Sequence, residues 1–347
     1  MAARTPAGQV VTWQRVLGRN DLPWQGAREP YRVWLSEVML QQTQVATVLD
    51  YFARFLERFP DLTTLATASL DDVLALWSGL GYYSRARNLH RCAVIVCRDH
   101  GGEFPRSAEV LQTLPGIGRS TAAAIASLCF GQRVAILDGN AKRVLCRFLG
   151  FDADLSVHAN QQALWAHATA LLPRRDLSRN MPRYTQGLMD LGAMVCTRRQ
   201  PDCDACPLAA DCVAKRGAVA ERFPAKTRKL KRTAQSIWLL CLSTHSREVW
   251  LSQRPSPGVW AGLYCVPLFD DRSALLAALP VSCHNALEDA PVMRHVLTHK
   301  ELYLHPVRLS VPPGGLQPAT DGAWFAEQHW PNLGLPAPIR RLLQGGG

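Results

Sequence analysis

A chain of 347 residues has room for two separate cores, and a hydrophobic share of 48% places it among globular proteins, not disordered or fibrous ones. No apolar run approaches the ~18 residues of a membrane-spanning helix, and Met1 to Trp13 lack the basic-then-apolar order of a secretion signal, so the expected location is cytoplasmic, with no membrane partner. The net charge of +11 is unevenly placed: residues 1–235 carry 31 Lys and Arg against 20 Asp and Glu, whereas residues 236–347 carry 8 of each. Excess positive charge confined to the first part is the footprint of a polyanion binder; a solubilising basic surface is the plainer alternative.

From Tyr31 to about Gly217 the chain is mostly helical in pattern. Val33–Phe59, Leu70–Leu76, Ser84–Asp99, Ala108–Leu114, Ser120–Leu128 and Asn160–Leu172 are apolar at helical spacing, and Pro60, Gly79, Gly101, Pro115 and Pro173 punctuate them. Residues 218–235 include the basic run Lys226-Thr-Arg-Lys-Leu-Lys-Arg232, which has no apolar face and is expected to be a linker. Beyond it, Ser236–Leu242, Val249–Ser252, Leu302–Val311 and Gly322–Phe325 resemble strands, and Leu275–Leu279 and Ile339–Leu343 short helices. The expected organisation is a mostly α region at 1–217, a linker at 218–235, and an α+β domain at 236–347.

Four groups of residues stand out chemically. Cys196, Cys203, Cys206 and Cys212 follow C-x6-C-x2-C-x5-C on a turn-rich stretch. Four thiolates there suit zinc or an iron–sulfur cluster, and seven further cysteines argue for a reducing compartment over two disulfides. Leu114-Pro-Gly-Ile-Gly118 lies between two helical segments, where Gly116 and Gly118 permit a tight hairpin exposing backbone N–H groups to a phosphate; an ordinary helix–helix turn is the alternative. Glu37 projects from an apolar stripe of Val33, Trp34 and Leu40, where desolvation raises a carboxyl into the range of a general acid, unless it pairs with Arg32 at the stripe's edge. Asp138 precedes a helix beginning near Ala141, so it is either a simple N-cap or a carboxylate kept ionised by the helix terminus. A protonated Glu and an ionised Asp are the pair that breaking a glycosidic bond requires.

Taken together these residues closely resemble the MutY family of adenine DNA glycosylases, within the helix-hairpin-helix, iron–sulfur base-excision superfamily. The matching stretches are Leu22-Pro-Trp24, Trp34-Leu-Ser-Glu-Val-Met-Leu-Gln-Gln-Thr43, Gly79-Leu-Gly-Tyr-Tyr-Ser-Arg-Ala-Arg-Asn-Leu89, Leu114-Pro-Gly-Ile-Gly118, Ile136-Leu-Asp-Gly-Asn140 and Met189-Asp-Leu-Gly-Ala-Met194, followed by the cysteines. The resemblance implies a [4Fe–4S] cluster on the four cysteines. It also implies that Glu37 protonates a flipped-out adenine while Asp138, with Asn140 beside it, stabilises the sugar cation. Trp24, Gln25, Leu40 and Gln186 would shape the adenine pocket, and Gln41, Gln42 and Tyr82 would fill or probe the duplex where the base left the stack. Relatives resembling endonuclease III carry a lysine at the position of Ser120; a serine forms no imine, which implies a monofunctional enzyme.

The second domain resembles the Nudix-like C-terminal region of the same family through Trp260-Ala-Gly-Leu-Tyr-Cys-Val-Pro267 and Arg294-His-Val-Leu-Thr-His299. Residues 268–290 offer only Asp270, Asp271, Glu288 and Asp289, without the glutamate spacing of a catalytic Nudix helix, which points to recognition without hydrolysis. Thr298 and His299 fall where the family senses 8-oxoguanine, although Leu297 and Lys300 depart from the aromatic residues of many members; the plainer reading of His299 is a strand-end histidine. The implied partner is double-stranded DNA with adenine opposite 8-oxoguanine or guanine, bound by a monomer that is nucleoid-associated if bacterial and hands its product to abasic-site repair enzymes. The alternatives are an endonuclease III-like glycosylase/lyase and a non-catalytic iron–sulfur protein that senses DNA structure.

Overall fold

The computed structural model describes residues 5–26, 28–225, 232–314, 316 and 321–345. Lys226 to Lys231 of the basic connector lie outside the described residues. The contacts divide the chain into two units, one of residues 1–66 and 88–229, the other of residues 67–87 and 230–347. A short piece of the helical region therefore packs with the C-terminal residues.

In the first unit the described residues are helical: α1 (Pro6–Leu17), α2 (Pro30–Leu40), α3 (Val45–Arg58) and α4 (Leu62–Thr67) are followed, after the α5 segment (Leu70–Trp77), by α6 (Ser84–Asp99), α7 (Ala108–Leu111), α8 (Arg119–Phe130), α9 (Gly139–Leu149), α10 (His158–Ala170), α11 (Leu177–Met194) and α12 (Val213–Arg216). The apolar run expected at Val33–Phe59 is two helices, because Gln41 ends α2 in a non-helical conformation and Gln42 takes a left-handed φ of 60°. Helix α9 starts at Gly139, two residues before the expected Ala141, with Asp138 as its N-cap.

Helix α11 organises this unit by packing against α1, α8 and α9. It contains Pro182, which supplies no N–H to the Ser178 carbonyl one turn back. Arg28 Nη1 donates to that carbonyl instead, at 3.2 Å. Two glycines let neighbours approach α11. A Cβ on Gly187 would stand 2.7 Å from Val10 Cγ1, and one on Gly192 would stand 2.6 Å from Asn140 Cβ. Met181, Tyr184, Leu188 and Leu191 of α11 join Val144, Leu145 and Leu164 in a continuous apolar core.

The second unit is built on a sheet of order β3-β2-β1-β7-β5, using β1 (Thr233–Thr244), β2 (Val249–Gln253), β3 (Tyr264–Cys265), β5 (Glu288–Asp289) and β7 (Lys300–Val311). Off this path, β4 (Leu268–Phe269) pairs with β1, β6 (Met293–Val296) with β7, and β8 (Ala323–Phe325) with β2. Strands β1 and β7 are parallel over their full length, from Thr233 beside Lys300 to Thr244 beside Val311. Helices α13 (Arg272–Ala277) and α14 (Ala337–Leu343) complete the unit. Among the described residues no helix is long and apolar enough to cross a membrane.

Candidate active site

Glu37 sits in the last turns of α2, where Val33, Trp34, Leu35, Ser36, Val38 and Met39 are all buried. Its own side chain is half-buried and opens onto two cavities. One is about 650 Å³, lined also by Trp24, Leu40, Gln41, Gln42, Ser120, Asp138, Asn140 and Gln186. The other is about 290 Å³ and shares Trp24, Glu37 and Gln186 while adding Gln25, Arg28 and Arg183. Burial, and secondarily the negative charge of Asp138, raise the Glu37 carboxyl to about 8. It therefore carries a proton at neutral pH.

Asp138 is also an N-cap, accepting the Ala141 N–H at 2.7 Å. The carboxylate that caps α9 also lines the larger cavity. Ser120, in the first turn of α8, accepts the Leu137 N–H at 3.1 Å and so ties the approach to Asp138 to the hairpin helix. Asn140 Oδ1 accepts from Arg143 Nη2 at 2.7 Å, and Arg143 Nε donates to the Cys196 carbonyl at 2.8 Å. The turn bearing Asp138 and Asn140 and the cysteine loop thus share one guanidinium.

Sequence reasoning missed the support behind Gln186. Gln186 Nε2 donates to Asp190 Oδ1 at 2.9 Å. Asp190 is fully buried and also holds Arg19, through the backbone N–H at 3.1 Å and Nε at 2.7 Å. Burial pushes the Asp190 carboxyl up, against the opposing pull of the Arg19 charge. The available signal was the placement of Asp190 four residues after Gln186, one helical turn on. Gln25 Oε1 accepts the Leu22 N–H at 3.3 Å, while its buried Nε2 has no hydrogen-bond partner among the described residues.

Gly116 and Gly118 line neither cavity. They form the turn between α7 and α8, with Gly116 at φ 77° and a Cβ there only 2.8 Å from Asn88 Cβ. Gly118 caps α8 without a side chain, leaving the first N–H groups of that helix unclaimed by a cap. Tyr82, Thr298 and His299 lie in the second unit. Leu297 N–H donates to the Lys300 carbonyl at 2.8 Å, closing a turn whose tip is Thr298 and His299. The Tyr82 and Thr298 hydroxyls are 2.9 Å apart. His299 is exposed, and its carbonyl accepts the Thr233 N–H at 3.1 Å.

The four cysteines surround a loop anchored by Arg147. This arginine is 2% exposed and donates to the carbonyls of Ala220 (2.7 Å), Thr197 (2.6 Å) and Arg198 (3.1 Å), and to Cys196 Sγ at 3.3 Å. Burial and then the charges of Cys196 and Cys212 raise the Cys203 thiol. Cys206, pushed up to about 11 chiefly by burial, is raised also by Cys196, Cys212 and Cys203. Among the described residues no group of three or more His, Cys, Asp or Glu side chains is arranged to hold a metal ion.

Residues 35–168 match the HhH-GPD superfamily of base excision DNA repair proteins, and residues 237–345 match the NUDIX domain. The chain is 35% identical over 346 residues to an adenine DNA glycosylase of Buchnera aphidicola from Acyrthosiphon pisum, covering 96% of this chain and 95% of that protein. It belongs to the adenine DNA glycosylase family. The human adenine DNA glycosylase is 45% identical over 226 residues, which are 62% of this chain and 40% of that protein. Among solved structures, a thermostable thymine-DNA glycosylase superposes with a TM-score of 0.55 at 28% identity, over 62% of this chain and 97% of its own. A non-covalent endonuclease III–DNA complex shares the fold of the helical region, with a TM-score of 0.51 at 21% identity over 61% of this chain and 94% of its own. The chain thus joins a helix-hairpin-helix glycosylase region to a Nudix-like domain.

Proposed function

We propose that this member of the adenine DNA glycosylases hydrolyses the N-glycosidic bond of adenine mispaired with 8-oxoguanine or guanine in duplex DNA and leaves the strand intact. One observation carries the reading: Glu37, protonated up to about pH 8, and Asp138 line one cavity. An adenine swung out of the stack would enter the larger cavity between Trp24, Leu40 and Gln186, with the unpartnered Gln25 Nε2 a spare donor beside the smaller cavity that shares Trp24 and Gln186. Glu37 gives its proton to the leaving base. The Asp138 carboxylate, held in place by the Ala141 N–H, faces the positive charge that builds on the sugar as the bond breaks. Water then completes the hydrolysis, and the abasic product passes to a strand-processing enzyme.

Ser120 supports a glycosylase without lyase activity, because its side chain is a hydroxyl already engaged with the Leu137 N–H. The exposed Gln42 and Tyr82, both with left-handed backbones, are suited to probing the duplex, and the Tyr82–Thr298 pair to reading the base opposite adenine.

The donor set fits a [4Fe–4S] cluster held by Cys196, Cys203, Cys206 and Cys212. The charges of these cysteines act on one another's thiols, and four thiolates with no other donor are the ligand set such a cluster takes. Such a cluster would cross-link the loop that bears Arg198 and Arg199, whose charges suit a phosphate backbone.

Product analysis on a duplex with adenine opposite 8-oxoguanine tests the reading. Free adenine with an uncut strand, and little borohydride-trapped adduct, is the expected result. A nicked strand with efficient trapping would make it a lyase, and no reaction would make it a binding protein.

A further inference from the structure

Tyr82 holds a φ of 48° while 43% exposed. A bulky side chain is seldom found in that region, and such a conformation persists only where its surroundings over-determine it. Those surroundings lie within the second unit. Trp77 Nε1 donates to the Gly81 carbonyl at 3.2 Å, and Arg85 Nη2 donates to the carbonyls of Leu80 and Gly81, each at 3.2 Å. On the other side, Ser78 Oγ and Tyr83 OH both donate to the Leu335 carbonyl, at 2.8 and 3.0 Å. One acceptor thereby fixes both side chains that flank the Gly79–Tyr82 turn.

The loop bearing Leu335 is itself held by Arg340 on α14. Its guanidinium donates to the Pro331 carbonyl at 2.7 Å, to the Leu333 carbonyl at 2.8 Å, and to Ser78 Oγ at 3.1 Å. A planar fork of donors that joins two carbonyls and a hydroxyl cannot be replaced in full by any other side chain. We infer that Arg340 is a positioning residue which, through Ser78 and the 331–335 loop, sets Tyr82 against Thr298 and thereby tunes which base opposite adenine is accepted. The inference rests on the proposal above that Tyr82 and Thr298 read that base.

The test is single-turnover adenine release by the full-length protein, normalised to active sites, from duplexes with 8-oxoguanine or guanine opposite adenine. Wild type should prefer 8-oxoguanine. Arg340→Gln should lose about five- to tenfold of that preference, the effect of one or two weakened hydrogen bonds, with the guanine duplex changed less than about twofold. Arg340→Lys, keeping one donor, should fall between them. In a Tyr82→Phe/Thr298→Ala background, Arg340→Gln should cause no further loss of preference. If Arg340→Gln kept the wild-type ratio while Tyr82→Phe and Thr298→Ala lowered it, the inference alone would fail. Equal loss on both duplexes, tracking a lower melting temperature, would mark Arg340 as merely structural. A wild-type enzyme indifferent to the opposite base would overturn the underlying reading and this inference with it.

Discussion

The Ser120 hydroxyl accepts the Leu137 N–H at 3.1 Å, one residue before Asp138. A side chain at the start of the hairpin helix therefore helps place the carboxylate proposed to face the sugar. Leaving a partly buried donor unmet costs about 1–3 kcal/mol. Ser120→Ala should slow adenine release about tenfold in single turnover and lower the melting temperature, while duplex affinity changes less than about threefold. Unaltered release would show that the bond does not position Asp138.

Gly192 admits no side chain where α11 meets the turn bearing Asn140, since a Cβ would stand 2.6 Å from Asn140 Cβ. Gly192→Ala must push α11 and Asn140 apart, and overpacking of this kind costs about 1–3 kcal/mol. Both thermal stability and base release should fall. An alanine variant with wild-type turnover would mean that Asn140 moves without consequence.

Glu37 should cost stability for the sake of function. Its folded carboxyl titrates at about 8 against an ordinary 4.5. A raised value means that the stability linked to its proton is fully present below about 4.5 and is lost as pH rises towards 8. Glu37→Gln carries no such charge and should be more stable than wild type at pH 8, by up to about 4 kcal/mol, with the gain shrinking towards pH 5. Urea unfolding across that range reads it directly, and a gain independent of pH would contradict the buried acid.

Arg147 should matter more to the cysteine loop than any surface arginine does. It is buried and serves the carbonyls of Ala220, Thr197 and Arg198 together with Cys196 Sγ. Arg147→Met removes every one of these donors, for a loss of about 3 kcal/mol or more. Iron per chain, the urea midpoint and duplex affinity should all drop. Full iron content with an unchanged midpoint would remove Arg147 from the loop's support.

Much of the site was legible in the sequence because short-range patterns carry it. The apolar stripe around Glu37, the N-cap at Asp138 and the glycines at 116 and 118 are local signals, and each sits where its pattern pointed. Helix α11 was not legible. Pro182, Gly187 and Gly192 weaken its intrinsic preference, and what sustains it is distant: Arg28 answers the missing Pro182 N–H, and α1 and α9 pack on the glycines. The Arg19–Asp190–Gln186 support and the packing of residues 67–87 with the C-terminal unit are hidden for the same reason, since both join segments far apart in the chain. The short strands β3, β4 and β5 are two residues each and exist through their partners, not their composition.

The neutral form of Glu37 is the proposed donor of the proton that releases adenine. Single-turnover release from an adenine:8-oxoguanine duplex, measured from pH 6 to pH 10 for wild type and Glu37→Gln, addresses it most directly. The wild-type rate should be level below about 8 and then fall about tenfold per pH unit, with Glu37→Gln slower by a factor of at least about 100 throughout although it still binds the duplex. A wild-type rate that rises through pH 8, or a glutamine variant that retains turnover, would contradict it.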